Sequence, residues 1–275
     1  MIMETGMSGR NSVCEITISK AALEDHEVGR LIDPSAGSRL DLTAFVSCYN
    51  ESEYIAHTLD AITSALGQVG ITYEIIVIDD NSSDDSAGIV REYIDSHPDK
   101  KMILKRNLVN KGLAQNYIDA AFLGKGKYYR LFCGDNPEPI ESIISICSLI
   151  GKADTIIPNH ASVPGKGAFR KRLSRLYTQL VNMVSGHYIT YYNGLAIHLR
   201  HNVMRWHPNT RGFGFQADIL CMLLDSGASY IEVSVPAINR APSRSLTMKN
   251  FLSVGHTLLD IMIRRIANRV YRRNA

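Results

Sequence analysis

Between Leu40 and Phe132 the chain alternates short apolar runs with segments of helical period, and no other feature limits its fold so tightly. Leu42-Thr43-Ala44-Phe45-Val46-Ser47-Cys48 and Glu74-Ile75-Ile76-Val77-Ile78 are nearly continuous apolar stretches, the pattern of strands buried on both faces. Met102-Ile103-Leu104 and Tyr128-Tyr129-Arg130-Leu131-Phe132 repeat it. Ile55, Leu59, Ile62 and Leu66 recur at helical spacing between the first two runs, predicting a helix over 52–66. Further helices are expected over 86–96 and 113–123. Strands alternating with helices predict a parallel sheet with right-handed crossovers.

The second half is less regular. Helices are expected at 140–150, at 215–224 and around Leu173 to Val184, with strands at 155–157, 194–199 and 230–235. One long amphipathic helix is expected from about Leu246 to the end. Residues 1–39 have weak periodicity and end in the turn-rich Asp33 to Ser38, so they read as a flexible extension with a short helix near Ala21 to Leu31. Asn50 followed by Glu53 has the spacing of a capping box at the first helix.

At 275 residues, with 45% hydrophobic and 21% charged residues, the chain can build a core without disulfides. Five scattered cysteines have no paired metal-ligand spacing and suit a reducing compartment. A net charge of +3 argues against a nucleic-acid partner. No basic-then-apolar leader and no run of about 18 apolar residues is present, so a cytoplasmic protein is expected, peripheral at most to the inner face of a membrane.

Ligands in open α/β sheets bind at the carboxyl ends of strands. Three polar clusters fall there: Tyr49-Asn50-Glu51, Asp79-Asp80-Asn81-Ser82-Ser83 and Gly134-Asp135-Asn136. They should converge on one edge. Neither GxGxxG nor GxxxxGK[ST] is present, which argues against a dinucleotide dehydrogenase or a P-loop enzyme. Carboxylates in place of a glycine-rich cradle suggest another way to hold a nucleotide. Asp80 can accept hydrogen bonds from a base or ribose, and Asp135 can hold Mg²⁺ or Mn²⁺ against a pyrophosphate.

Phe45-Val46-Ser47-Cys48-Tyr49-Asn50-Glu51 and Ile76-Val77-Ile78-Asp79-Asp80-Asn81-Ser82-Ser83-Asp84 resemble the opening of family 2 glycosyltransferases. Asn110-Lys111-Gly112-Leu113-Ala114-Gln115-Asn116 is similar to the family's segment before its fourth strand. Gly212 to Asp218, with Arg240 and Ser243-Arg244-Ser245, is nearest to the branch of polyprenyl-phosphate sugar synthases such as dolichyl-phosphate mannose synthase. The resemblance implies a glycosyltransferase A-type α/β fold, mainly parallel and flanked by helices. It implies a catalytic domain over 40–245, with a nucleotide-binding half at 40–136 and an acceptor half at 137–245, followed by the basic helix at 246–275.

It also implies inverting transfer from a UDP- or GDP-sugar to a glycan or lipid-linked acceptor, polyprenyl phosphate included. Tyr49, Glu51, Asp80 and Lys111 would contact the nucleotide, and Asp135 the Mg²⁺ or Mn²⁺. Arg240 and Ser245 would contact the diphosphate or acceptor. Asp218, at the start of a predicted helix, is the candidate general base for a hydroxyl acceptor. The chain departs from the family in carrying Cys133-Gly134-Asp135 where an Asp-x-Asp pair is common, and Ser243 and Leu246 where Gly and Lys are. A non-catalytic nucleotide-sugar-binding scaffold therefore stands as the alternative.

On the terminal helix, Leu259, Met262, Ile263, Ile266 and Val270 share a face, while Arg264, Arg265, Arg269, Arg272 and Arg273 enrich the polar side. Contact with an anionic membrane, packing on the catalytic domain and homo-oligomerisation would all use that face.

Overall fold

The computed structural model describes residues 16–18, 40–135, 138–160, 168–207, 214–236 and 248–272. The expected alternation is realised as β2 (Leu40–Cys48), α1 (Ile55–Val69), β3 (Tyr73–Asp79), α2 (Ser86–Ser96), β4 (Met102–Arg106), α3 (Leu113–Leu123) and β5 (Gly126–Cys133). α4 (Ile140–Cys147), β6 (Thr155–His160), α5 (Ala168–Ser185), β7 (Ile197–Leu199), α6 (Arg200–Met204), α7 (Phe215–Asp225), β8 (Tyr230–Val235) and α8 (Met248–Arg272) follow. Preceding them, β1 (Ile16–Ile18) lies within the stretch read as an extension, and it pairs antiparallel with β8. Its Ile-Thr-Ile is β-branched throughout and suits a strand, but three residues are too few to register as a period. The short helix expected near Ala21 to Leu31 lies outside the described residues.

All eight strands form one sheet, ordered β1-β8-β6-β7-β5-β2-β3-β4. β5, β2, β3 and β4 are parallel, as are β6 and β8, while β7 runs antiparallel to both β5 and β6. The expected nucleotide and acceptor halves thus share a single sheet.

Its central strands are buried on both faces, which explains their continuous apolar character. Leu42, Ala44, Val46, Ile75 and Val77 pack with Ile55, Leu59, Ile62 and Leu66 of α1. The alternate residues Phe45, Ile76 and Ile78 face Tyr117 and Ile118 of α3, Trp206, and Phe215 and Ile219 of α7. A third cluster joins Val181 of α5, Leu220 and Cys221 of α7, and Ile261 of α8. Each such large apolar side chain contributes about 1.5–3 kcal/mol when fully buried. His198 of β7 is also buried, with Nδ1 3.2 Å from Thr155 Oγ1, and burial pushes its pKa down to about 3, leaving the ring neutral.

Arg130 in β5 is the one charge placed in the middle of a central strand among the described residues, and it is 0% exposed. Its Nη2 lies 2.7 Å from Glu138 Oε1, its Nε donates to Leu195 O at 3.2 Å, and its guanidinium stacks 4.5 Å over the Phe132 ring. The pair ties the segment following β5 back onto the strand.

Candidate functional site

Strand register brings the three polar clusters together. Ser47 pairs with Cys133 and Cys48 with Asp79, so β2, β3 and β5 end side by side. Backbone bonds continue past the strands: Asp80 N–H donates to Cys48 O at 2.9 Å, Gly134 N–H to Ser47 O at 2.9 Å, and Asn107 N–H to Asp79 O at 2.9 Å. Four loops therefore open on one rim.

The β2–α1 and β3–α2 loops are stitched to each other. Asn50 and Asn81 both have left-handed φ, 56° and 66°, a conformation that asparagine tolerates better than most residues. Asn50 Oδ1 accepts from Ser83 N–H at 2.8 Å, and Asn50 N–H donates to Ser82 Oγ at 2.9 Å. Glu51 N–H donates to Ser86 Oγ at 2.8 Å, and Ser52 N–H to Asp84 Oδ2 at 3.0 Å. The expected capping box does not form, because the Asn50 side chain is taken by Ser83. α1 starts later, behind Tyr54, without a side-chain cap. Burial alone would push the Asp84 carboxyl up, but hydrogen bonds from Ser86 and Ser52 outweigh it and hold its pKa at about 2.

Asp80 is 5% exposed and holds the β4–α3 loop. Its Oδ1 accepts from Asn107 Nδ2 and Lys111 N–H, both at 2.8 Å, and its Oδ2 from Gly112 N–H at 2.8 Å. Burial raises its proton affinity, yet these donors, with Asn116, leave the pKa below the ordinary value. A carboxylate has about four acceptor positions, and with Asn116 these donors account for them. Gly112 supplies a φ of 83° before α3, where L side chains are strained. Lys111 Nζ is 3.0 Å from Asp119 Oδ2, which Lys105 Nζ also meets at 3.0 Å.

Asp79 is 0% exposed. Its Oδ2 faces Arg106 Nε at 3.3 Å, whereas Oδ1 has no hydrogen-bond partner among the described residues. Across the rim, Glu51 and Asp135 flank Gly134. A Cβ on Gly134 would come within 2.6 Å of Ser47 O and 3.1 Å of Glu51 Cγ, so only glycine permits this approach. Tyr49, 52% exposed, and Asp135 face solvent.

Asp218 is placed differently. It lies in the first turn of α7, 5% exposed, with Oδ2 accepting from Trp206 Nε1 at 2.7 Å and Oδ1 2.8 Å from Arg264 Nη1 of α8. Among the described residues its hydrogen bonds and ion pair include none of the rim side chains. Arg240 and Ser245 lie outside the described residues. Sequence reasoning placed Asp79 in a rim cluster but missed Asn107 and Arg106, whose signal was positional, since both sit at the end of β4 as Tyr49 does at the end of β2.

Among the described residues no group of three or more His, Cys, Asp or Glu forms a metal cage. One exposed carboxylate at the end of β5 fits a divalent ion that arrives with a diphosphate, because Mg²⁺-like ions bind through one or two carboxylates plus substrate phosphates.

The model of the family "Glycosyl transferase family 2" matches residues 43–205. An undecaprenyl-phosphate 4-deoxy-4-formamido-L-arabinose transferase of Edwardsiella ictaluri (strain 93-146) is 25% identical over 166 residues, 60% of this chain and 50% of that protein. A dolichyl-phosphate beta-glucosyltransferase of Dictyostelium discoideum is 28% identical over 111 residues, 38% of this chain and 34% of that protein. The chain thus spans half or less of these relatives' length. Among solved structures, glucosyl-3-phosphoglycerate synthase from Mycobacterium tuberculosis, in complex with Mn²⁺, UDP and phosphoglyceric acid, superposes with a TM-score of 0.62 at 16% identity. That superposition covers 82% of this chain and 79% of the synthase, and it shows the fold.

Proposed function

The chain belongs to glycosyl transferase family 2, and on that basis we propose that it transfers a sugar from a UDP- or GDP-sugar to a lipid-linked acceptor bearing a phosphate. The observation that carries the reading is the junction of four strand-end loops around Asp80, whose carboxylate orders Asn107, Lys111 and Gly112 at the rim.

In this reading the Asp80 carboxylate receives a donor from the nucleoside in exchange for one of its protein donors. Tyr49 and Glu51 line its other side, and Lys111 turns from Asp119 toward the phosphates. Asp135 would hold Mg²⁺ or Mn²⁺, and the ion would supply charge to offset that of the departing diphosphate. Arg240 and Ser245 contact the diphosphate or acceptor. A phosphate acceptor is already ionised and needs no base, which agrees with Asp218 remaining paired to Arg264. With a hydroxyl acceptor, Asp218 would take the proton and would first have to leave that pair. The relatives named for undecaprenyl phosphate and dolichyl phosphate favour the former.

The test is release of UDP or GDP from a panel of nucleotide-sugars with Mn²⁺ or Mg²⁺, given a polyprenyl phosphate or an oligosaccharide. Turnover with the polyprenyl phosphate supports the reading. Binding of nucleotide without turnover on either acceptor supports the second reading, a non-catalytic nucleotide-sugar binder. The lone Asp135 in place of a carboxylate pair favours that second reading.

A further inference from the structure

α8 is turned the opposite way from an ordinary surface helix. Its Arg264 and Arg265 face the protein, where they meet Asp218 at 2.8 Å and Asp225 at 3.8 Å. Leu259, Met262, Ile263, Ile266 and Val270 face outward, each between 42% and 60% exposed. They recur at i, i+3, i+4, i+7 and i+11 and so form one stripe. The contact with the body of the protein is already made by Leu258 and Ile261, which pack with Tyr177, Val181 and Val184 of α5. α5 presents Arg172, Arg175, Leu176 and Met183 to solvent.

Charge says what covers this surface. Residues 165–185 hold five basic and no acidic side chains, and residues 246–275 hold six basic and one acidic. Even without Arg264 and Arg265, which are paired inward, these two stretches carry eight net positive charges in a chain of net +3. Two copies meeting face to face would set like charges against each other, which disfavours a dimer through the stripe. Exposed apolar side chains on helices this rich in basic residues, with Arg172 and Arg175 themselves exposed, suit the boundary between headgroups and acyl chains of an anionic leaflet. Among the described residues no helix is long and apolar enough to cross a membrane, so contact here is with a surface.

We propose that α5 and α8 form a docking surface for an anionic lipid bilayer, with the α8 stripe inserted at the headgroup boundary. Among the described residues these helices contribute no side chain to the nucleotide rim, and the inference holds or fails independently of the donor.

The test is co-sedimentation of the full chain with vesicles of phosphatidylcholine alone or mixed with phosphatidylglycerol, with light scattering in their absence. Binding to the anionic vesicles should be at least about tenfold stronger and should weaken as salt rises. Ile263→Glu with Ile266→Glu should abolish it, and Arg172→Glu with Arg175→Glu should remove the anionic preference. The melting midpoints of both variants should stay unchanged, because the substituted residues are exposed. Equal binding to both vesicles, or binding to neither, overturns the proposal. So does a dimer that Ile263→Glu with Ile266→Glu converts to monomer, or a lowered midpoint for that variant, which would place the stripe inside the fold.

Discussion

Arg264 of α8 reaches Asp218 of α7 with Nη1 and Oδ1 2.8 Å apart, and its Nη2 also donates to the Asp218 carbonyl at 3.2 Å. One side chain thus fastens the terminal helix to the first turn of the helix that carries the sequence-predicted base. Removing one partner of a buried pair costs about 3–5 kcal/mol. Arg264 is 25% exposed, and solvent screening reduces the figure to about 1–3 kcal/mol here. Urea denaturation of Arg264→Met should read that loss, and Arg264→Met with Asp218→Asn should recover part of it.

Arg130 and Glu138 form a more deeply buried pair, 0% and 7% exposed. Arg130→Met leaves the Glu138 carboxylate buried and alone, at a cost of about 3–5 kcal/mol. The double replacement Arg130→Met with Glu138→Gln should cost clearly less than the sum of the single ones. A double-mutant cycle by chemical denaturation measures the difference.

The acid limb of the stability curve should carry the signature of Asp84 and Asp80. Both have folded-state pKa values depressed below the ordinary carboxyl value of 3.8, Asp84 to about 2. A depressed carboxyl contributes stability that is fully present above its unfolded pKa and is lost as pH falls through its folded one. Stability should therefore decline from about pH 4 toward pH 2 as both protonate. Melting midpoints across that window should fall less steeply for Asp84→Asn, which has no proton to take up.

Gly134→Ala tests the approach of β5 to the β2 loop. The new methyl would meet Ser47 O at 2.6 Å, and backbone cannot swing away as a side chain can. The substitution should cost about 1–3 kcal/mol of stability. It should also weaken nucleotide binding by displacing Glu51 and Asp135, which titration calorimetry can follow.

The parallel half of the fold was legible because its strands are buried on both faces and each carries its polar cluster at the end that forms the rim. Phe45-Val46 and Ile75 to Ile78 could only be interior strands, and Asp79 and Asp80 could only emerge where β3 stops. Three things were not legible. β1 is too short to show a period. Asn50 has one side chain and two uses for it, and the tie to Ser83 across 33 residues displaces the local cap. Arg264 and Arg265 look like a solvated face in sequence, yet Asp218 and Asp225 draw them inward and turn the apolar stripe out. The last two share a cause: the partner that decides the outcome is far away in sequence.

The central claim is that the rim around Asp80, Glu51 and Asp135 holds a nucleotide diphosphate, and the most direct measurement is the melting midpoint with UDP or GDP, each with and without Mn²⁺. A ligand at a thousand times its dissociation constant adds about 4 kcal/mol. One nucleotide should raise the midpoint by several degrees, more with Mn²⁺ than without, and Asp80→Asn should diminish the rise. No shift with either nucleotide in the presence of Mn²⁺ would contradict the account.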